Sequence, residues 1–241
     1  MKINSGISLV MPVFNEAEII EETVRVYLDD LEEKFSSYEL IVVDDGSTDA
    51  TAKILEKLKS FYPDRLRVIT NQRNTGSGAS LYKGLLAARF AFVASNFADR
   101  PFDLKELKNI MPIFDQEIDF VVVCRKDRSA NTFYRKMTSL VNYYLIRILF
   151  QINVGDFQFV QIYRRKILED LDVKSQRTFV PAEIIIKLLR RGYKMAEYRT
   201  DFHSRSKGRA KCGHPRVIFR ALFDMLRFRF VGEQGISVKG R

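Results

Sequence analysis

A chain of 241 residues, 46% hydrophobic and 29% charged, has the length and balance of one globular domain with a proper core, or of one domain with a small appendage. Its two cysteines, Cys124 and Cys212, give no disulfide framework and no metal-ligand spacing, and are expected to be free thiols in a reducing compartment. The net charge of +10 is uneven, because from Arg199 to Arg241 eleven Lys or Arg stand against three Asp or Glu; such a basic tail implies an anionic partner, whether nucleotide phosphate, lipid phosphate, a membrane surface or nucleic acid.

Met1 to Gly6 leads straight into an apolar run, so no signal peptide is expected. Strands are predicted over 7–14, 39–44, 66–70, 90–94, 119–123 and 158–163. Helices are predicted over 16–34, 49–60, 78–90, 103–111, 133–151, 164–171, 181–191 and 215–228. The first strand, ISLVMPVF, ends in Asn15 and Glu16; the second apolar run, Leu40 to Val43, stops at Asp44-Asp45-Gly46-Ser47-Thr48-Asp49. Strand, helix, strand is a βαβ unit, and its parallel strands present their carboxyl ends on one edge, where open α/β sheets bind ligands. Ser47 or Asp49 is the expected cap of the helix that follows. Alternation through the first half predicts a mainly parallel sheet covered on both faces. Beyond about residue 100 the pattern turns helix-rich and basic. One domain is therefore expected to hold a nucleotide-binding half (about 1–100), an acceptor half (about 101–214), a basic amphipathic helix (215–230) and a tail (231–241). The longest apolar stretch, Leu140 to Phe150, contains Asn142 and Arg147 and is far short of the ~20 residues that span a bilayer.

PVFNE at the first strand end, paired with VDDGSTD at the second, closely resembles the inverting family-2 glycosyltransferases, which bind nucleotide sugars on a GT-A fold. The resemblance covers roughly residues 7–229. It implies a Rossmann-like α/β domain whose donor pocket is lined by Pro12, Phe14, Glu16, Val43 and Asp45, with Asp45 facing the base. Read as residues alone, Pro12 and Phe14 offer either an apolar wall or a strand end and core filling. Glu16 and Asp45 are either acceptors for base N–H and ribose O–H groups or helix caps. Because a carboxylate accepts from uracil and guanine alike, the donor is UDP- or GDP-linked. The stretch from Asn71 to Ala79 opens a helix with small residues that allow close backbone approach to a phosphate or sugar. It lacks the Gly-Lys-Ser/Thr of a phosphate-binding loop and the third glycine of a dinucleotide fingerprint. In the resembled family an N-x-G-x-G/A element stands here and supports the donor, which brings in Gly78.

The acidic motif departs from the family's Asp-x-Asp. Aligning Phe102-Asp103-Leu104 with the motif's usual tail puts Phe97-Ala98-Asp99 in its place, with Arg100-Pro101 following. The resemblance makes Asp99 the metal-touching carboxylate and Ala98 a donor neighbour. Three readings stay open: Asp99 holds Mg²⁺ or Mn²⁺ together with substrate phosphates, Arg100 offsets the diphosphate without metal, or the chain is a non-catalytic relative.

Arg125, Arg135, Ser139, Arg205 and Lys211 match positions that the dolichyl-phosphate-mannose-synthase-like, polyprenyl-phosphate branch uses near phosphates. Ala210 replaces a usual Ser, and Gly155-Asp156-Phe157-Gln158 lacks the Cys and Gly of the branch's D-x-Q-C-G-F segment. The implied reaction is transfer of a sugar from its nucleotide to a polyprenyl phosphate, by a protein peripheral to the cytoplasmic face of the inner membrane. A lipid phosphate needs no general base, whereas a hydroxyl acceptor in surface-polysaccharide synthesis does, and Glu183 in the F-x-x-E segment is the candidate. Arg216, Arg220 and Arg227 near one face of the 215–230 helix, amid Phe and Leu, suit an interfacial helix on anionic lipid. A core-packing helix with snorkelling arginines is the other reading. Nucleic-acid binding is the rival from a different class, but no nucleic-acid module is recognisable.

Overall fold

The structure is a computed structural model that describes residues 2–126, 143–201 and 223–232. In chain order it runs β1 (Ile7–Val13), α1 (Ile20–Lys34), β2 (Tyr38–Asp44), α2 (Thr51–Phe61), β3 (Leu66–Thr70), α3 (Ser77–Ala87) and β4 (Phe92–Ser95). A short α4 (Leu107–Ile110) between two 3₁₀ turns leads to β5 (Phe120–Arg125). Then come α5 (residues 143–150), β6 (Gln161–Arg164), α6 (Val180–Arg190) and β7 (Met195–Thr200). In the last described segment residues 223–227 form a terminal helix that continues into a π turn, Phe228–Gly232.

One seven-stranded sheet has the order β3-β2-β1-β4-β6-β5-β7. Only β6 runs against its neighbours β4 and β5; the β1–β2, β1–β4, β2–β3 and β5–β7 pairs are parallel. β1 and β2 are buried along their whole length because helices cover both faces, while β3, at the sheet edge, is only partly buried. On one face Leu9, Met11, Leu40 and Val42 pack with Ile20, Val24, Tyr27, Leu28 and Leu55 of α1 and α2. On the other, Val10, Ile41, Val43 and Val93 pack with Leu81 and Leu85 of α3 and with Ile184 and Ile185 of α6. Gly84 permits α3 to lie this close: a Cβ there would sit 2.3 Å from Val10 Cγ1 and 3.0 Å from Val43 Cγ2. Pro12 is tolerated in a central strand because the β1–β4 pairing ends at Val10↔Ser95, two residues before it.

Three expectations shift. The start of the first predicted helix, 16–19, is a turn, and α1 begins at Ile20. The 158–163 strand begins only at Gln161, and the following 164–171 helix is a 3₁₀ turn, Arg165–Leu168. β7 was not foreseen: as an edge strand beside β5 it carries Glu197 and Arg199, and the charges hide its period-2 pattern.

Candidate donor and acceptor site

The topology brings three polar segments to one sheet edge. Register partners Pro12↔Val43 and Val13↔Asp44 align the ends of β1 and β2, Asp45 N–H donates to the Val13 carbonyl at 2.9 Å, and Asn96 N–H donates to the Val10 carbonyl at 3.0 Å. The first two ends are laced together. Asn15, with φ +54°, donates its N–H to Ser47 Oγ (2.9 Å) and accepts from Thr48 N–H (2.8 Å). Glu16 N–H donates to Thr51 Oγ1 at 2.9 Å. Neither expected cap occupies the cap position of α2, which is Ala50 with no side-chain cap bond: Asp49, one residue earlier, accepts from Thr51 N–H (2.9 Å), and Ser47 bonds back to Asp44. Asp44 Oδ2 is buried with no hydrogen-bond partner among the described residues.

Asp45 is the hub of a second network. Its Oδ1 accepts from Asn71 Nδ2 (3.0 Å), Thr75 N–H (2.8 Å) and Thr75 Oγ1 (2.8 Å), and its Oδ2 accepts from Gly76 N–H (2.9 Å). Behind it Asn71 also donates to Ser80 Oγ and accepts from Lys83 Nζ at 2.7 Å. Burial acts to raise the Asp45 pKa, but the hydrogen bonds from Thr75, Asn71 and Ser80 overcome it and hold the carboxyl below its ordinary value. Sequence reasoning did not single out Asn71, Ser80 or Lys83 individually; a buried polar residue just past a strand end was the available signal. Gly78 does not face open space, since a Cβ there would meet the Arg177 carbonyl oxygen at 1.9 Å. The side chain of Val43 is likewise committed to the core beneath α3.

The 96–102 segment is fixed to α1 through its backbone. Tyr27 Oη donates to the Phe97 carbonyl (2.7 Å) and Thr23 Oγ1 to the Ala98 carbonyl (2.8 Å), and Asn96 Nδ2 donates to the Phe102 carbonyl (2.9 Å). Burial, followed by the nearby Asp99 charge, raises the Tyr27 phenol well above its ordinary pKa. Asp99 is half-buried and its carboxylate makes no hydrogen bond or ion pair within the described residues. Arg100, at φ +50°, turns away to Glu22 Oε1 at 2.9 Å. No cluster of three His, Cys, Asp or Glu suited to a metal occurs among the described residues, so a cation here would rest on Asp99 and ligands brought by substrate. The half-buried, unpaired carboxylate fits that arrangement.

On the acceptor side Arg125 Nε meets Asp156 Oδ2 at 2.8 Å, and its guanidinium lies over the Phe159 ring at 5.5 Å. Arg135, Ser139, Arg205 and Lys211 lie outside the described residues, as does the first half of the 215–230 helix, including Arg216 and Arg220. Glu183 is 0% exposed. Its Oε1 accepts from Lys174 N–H (2.9 Å) and pairs with Lys187 Nζ (2.6 Å), and its Oε2 accepts from Ser175 N–H (2.9 Å). This is the geometry of a loop anchor.

The family model described as Glycosyl transferase family 2 matches residues 8–172. The chain is 31% identical over 229 residues to the dodecaprenyl-phosphate galacturonate synthase of Rhizobium johnstonii, covering 93% of this chain and 66% of that protein. It is 28% identical over 182 residues to the undecaprenyl-phosphate 4-deoxy-4-formamido-L-arabinose transferase of Proteus mirabilis, covering 75% and 55%. It thus spans just over half to just under two thirds of the length of these relatives. The fold matches the Mycobacterium tuberculosis glucosyl-3-phosphoglycerate synthase, solved with Mn²⁺, uridine diphosphate and phosphoglyceric acid. The TM-score is 0.68 at 20% identity, over 96% of this chain and 81% of that one. The sheet is therefore a GT-A fold, and with the family match extending over most of the chain, this protein belongs to glycosyl transferase family 2.

Proposed function

We propose that the chain transfers one sugar from a UDP- or GDP-linked donor to a polyprenyl phosphate, with inversion, as a peripheral protein on the inner, cytoplasmic membrane face. The observation that carries this reading is the shared strand-end edge of Pro12–Glu16, Asp44–Asp49 and Phe97–Asp99, in a family whose similar relatives are named for sugar transfer on polyprenyl phosphates.

In this reading Pro12 and Phe14 wall the base and Glu16 accepts from the donor, while Asp45, buried and with both oxygens engaged, holds the Thr75–Gly76 turn that borders the base. An acceptor phosphate oxygen forms a bond to the anomeric carbon on the face opposite the nucleotide. The bond from that carbon to the diphosphate oxygen breaks, and its electron pair leaves with the nucleoside diphosphate. The lipid phosphate is already ionised near neutrality, so no proton has to be removed. The engagement of Glu183 with its loop supports this acceptor over a hydroxyl, which requires a free base. Asp99 is the residue that would hold Mg²⁺ or Mn²⁺, and such an ion would offset charge on the diphosphate. Arg125, with Arg135, Ser139, Arg205 and Lys211, is assigned to the acceptor phosphate.

Membrane association draws support from exposed apolar residues at helical spacing: Tyr144 and Ile148 on α5, and Phe223, Leu226 and Phe230 on the terminal helix. The two helices meet at Phe150 and Phe228, ring centroids 5.6 Å apart. Among the described residues no helix is long and apolar enough to cross a membrane. Incubation with UDP- and GDP-sugars and vesicles containing polyprenyl phosphate tests the reaction. A lipid-linked sugar phosphate is the expected product, and transfer only to a soluble sugar hydroxyl would overturn the assignment.

A further inference from the structure

Glu183 and Asp45 belong to distant parts of the sequence, yet a short chain of contacts joins them. Glu183 holds the 174–175 backbone through two N–H groups, each at 2.9 Å. Lys187 grips both ends of this turn, pairing with Glu183 at 2.6 Å and donating to the Asp172 carbonyl. One residue on, the Gln176 carbonyl accepts from Ala79 N–H (2.8 Å) in the first turn of α3. The 176–177 backbone fills the space above the glycines there: a Cβ on Gly76 would come within 2.7 Å of Gln176 O, and one on Gly78 within 1.9 Å of Arg177 O. Gly76 and its neighbour Thr75 are the residues whose N–H groups hold the Asp45 carboxylate, at 2.9 and 2.8 Å.

We propose that Glu183 is a positioning residue for the donor site: it sets the 174–177 loop as a backstop against the Thr75–Gly78 turn, and so fixes the place of that turn, clasped to Asp45, at the donor edge. The inference rests on the donor reading of this strand-end edge given above. A carboxylate that is fully buried and whose oxygens take two backbone N–H groups and an ammonium is closed off from an incoming hydroxyl. A supporting shell that loosens lets the group in front of it wander, and outer-shell substitutions at binding sites typically cost about 10–100-fold.

Glu183→Gln tests this. Its amide NH₂ opposes either a backbone N–H or the Lys187 ammonium, donor against donor, so the turn loosens without a change of side-chain shape. The KM for the nucleotide sugar should rise about 10-fold or more while kcat stays within about 2-fold and its pH profile keeps its shape. Amide hydrogen exchange in the ligand-free protein should quicken at Thr75, Gly76 and Ala79. Gly78→Ala, which displaces the same loop without touching Glu183, should give the same signature, and the two changes should combine less than additively; it also decides the matter if the first variant does not fold. A collapse of kcat with loss of one limb of the pH profile, at unchanged donor KM and exchange, would make Glu183 a general base and overturn the proposal. Unaltered kinetics and exchange in both variants would overturn it equally. If the wild type binds no nucleotide sugar, the exchange measurement decides alone: quickening at residues 75–79 upholds the coupling while the donor reading falls.

Discussion

Asp45 collects four hydrogen bonds from Asn71, Thr75 and Gly76 and is held below the ordinary carboxylate pKa. A carboxyl depressed on folding stabilises the fold above its unfolded pKa, and that contribution is lost as pH falls through the folded value. Asp45→Asn should therefore cost about 1.5–3 kcal/mol near neutrality, the range for hydrogen bonds to a charged group. It should also shed less stability than the wild type below about pH 4. Urea unfolding at neutral and acid pH reads both effects; parallel losses in the two proteins would remove the carboxylate as the source. Asp99 is the other decisive side chain. Phe97 cannot ligate metal, so Mg²⁺ or Mn²⁺ should bind weakly without nucleotide and more tightly with it, which calorimetry with UDP and GDP measures. Asp99→Ala should abolish this binding and turnover together, and Phe97→Asp should strengthen binding. Full activity of Asp99→Ala in EDTA would dismiss the metal.

At the level of elements, the closeness of α3 to the sheet is the most exposed point of the design. Gly84→Ala would place a methyl 2.3 Å from Val10 Cγ1, and overpacking of this kind costs about 1–3 kcal/mol. Thermal unfolding should show the loss, and an unchanged midpoint would mean that α3 rides free of β1. The apolar runs of β1 and β2 were legible because parallel strands covered on both faces read as near-continuous apolar runs. The β7 strand, Met195–Thr200, was not, since an edge strand can carry charge on its open side. Helix starts were legible only to within a few residues. Glu16 was read as helical, yet its N–H is taken by Thr51 at the start of α2, a partner that local pattern does not reveal.

Across the whole molecule, the proposed membrane association would draw on both the excess positive charge and the exposed apolar side chains. Ile148 and Phe230 are 72% and 71% exposed, so replacing either with Asp should leave folding unchanged. Inserting such a side chain in lipid is worth about 1.5–3 kcal/mol, so each change should weaken sedimentation with anionic vesicles about 10-fold or more. Added salt should weaken it further through the basic residues. Vesicle binding that ignores both changes would place the contact elsewhere on the surface.

The order of strands and helices in the first half, and the chemistry gathered at PVFNE and VDDGSTD, were determined by sequence alone, because periodicity and strand-end composition are local properties. So was the reduction of the acidic motif to Asp99. The contacts each group makes were set by tertiary structure. Glu183 read as a first-turn acid, and folding buries it against the 174–175 backbone. Gly78 read as a place of close backbone approach, and the 176–177 backbone lies over it. Arg100 read as open to a diphosphate, and at φ +50° it pairs with Glu22. The partners of Gly78 and Arg100 lie far away in sequence, and those of Glu183 depend on how a nearby loop folds back, so only packing determines which of a side chain's possible contacts is made.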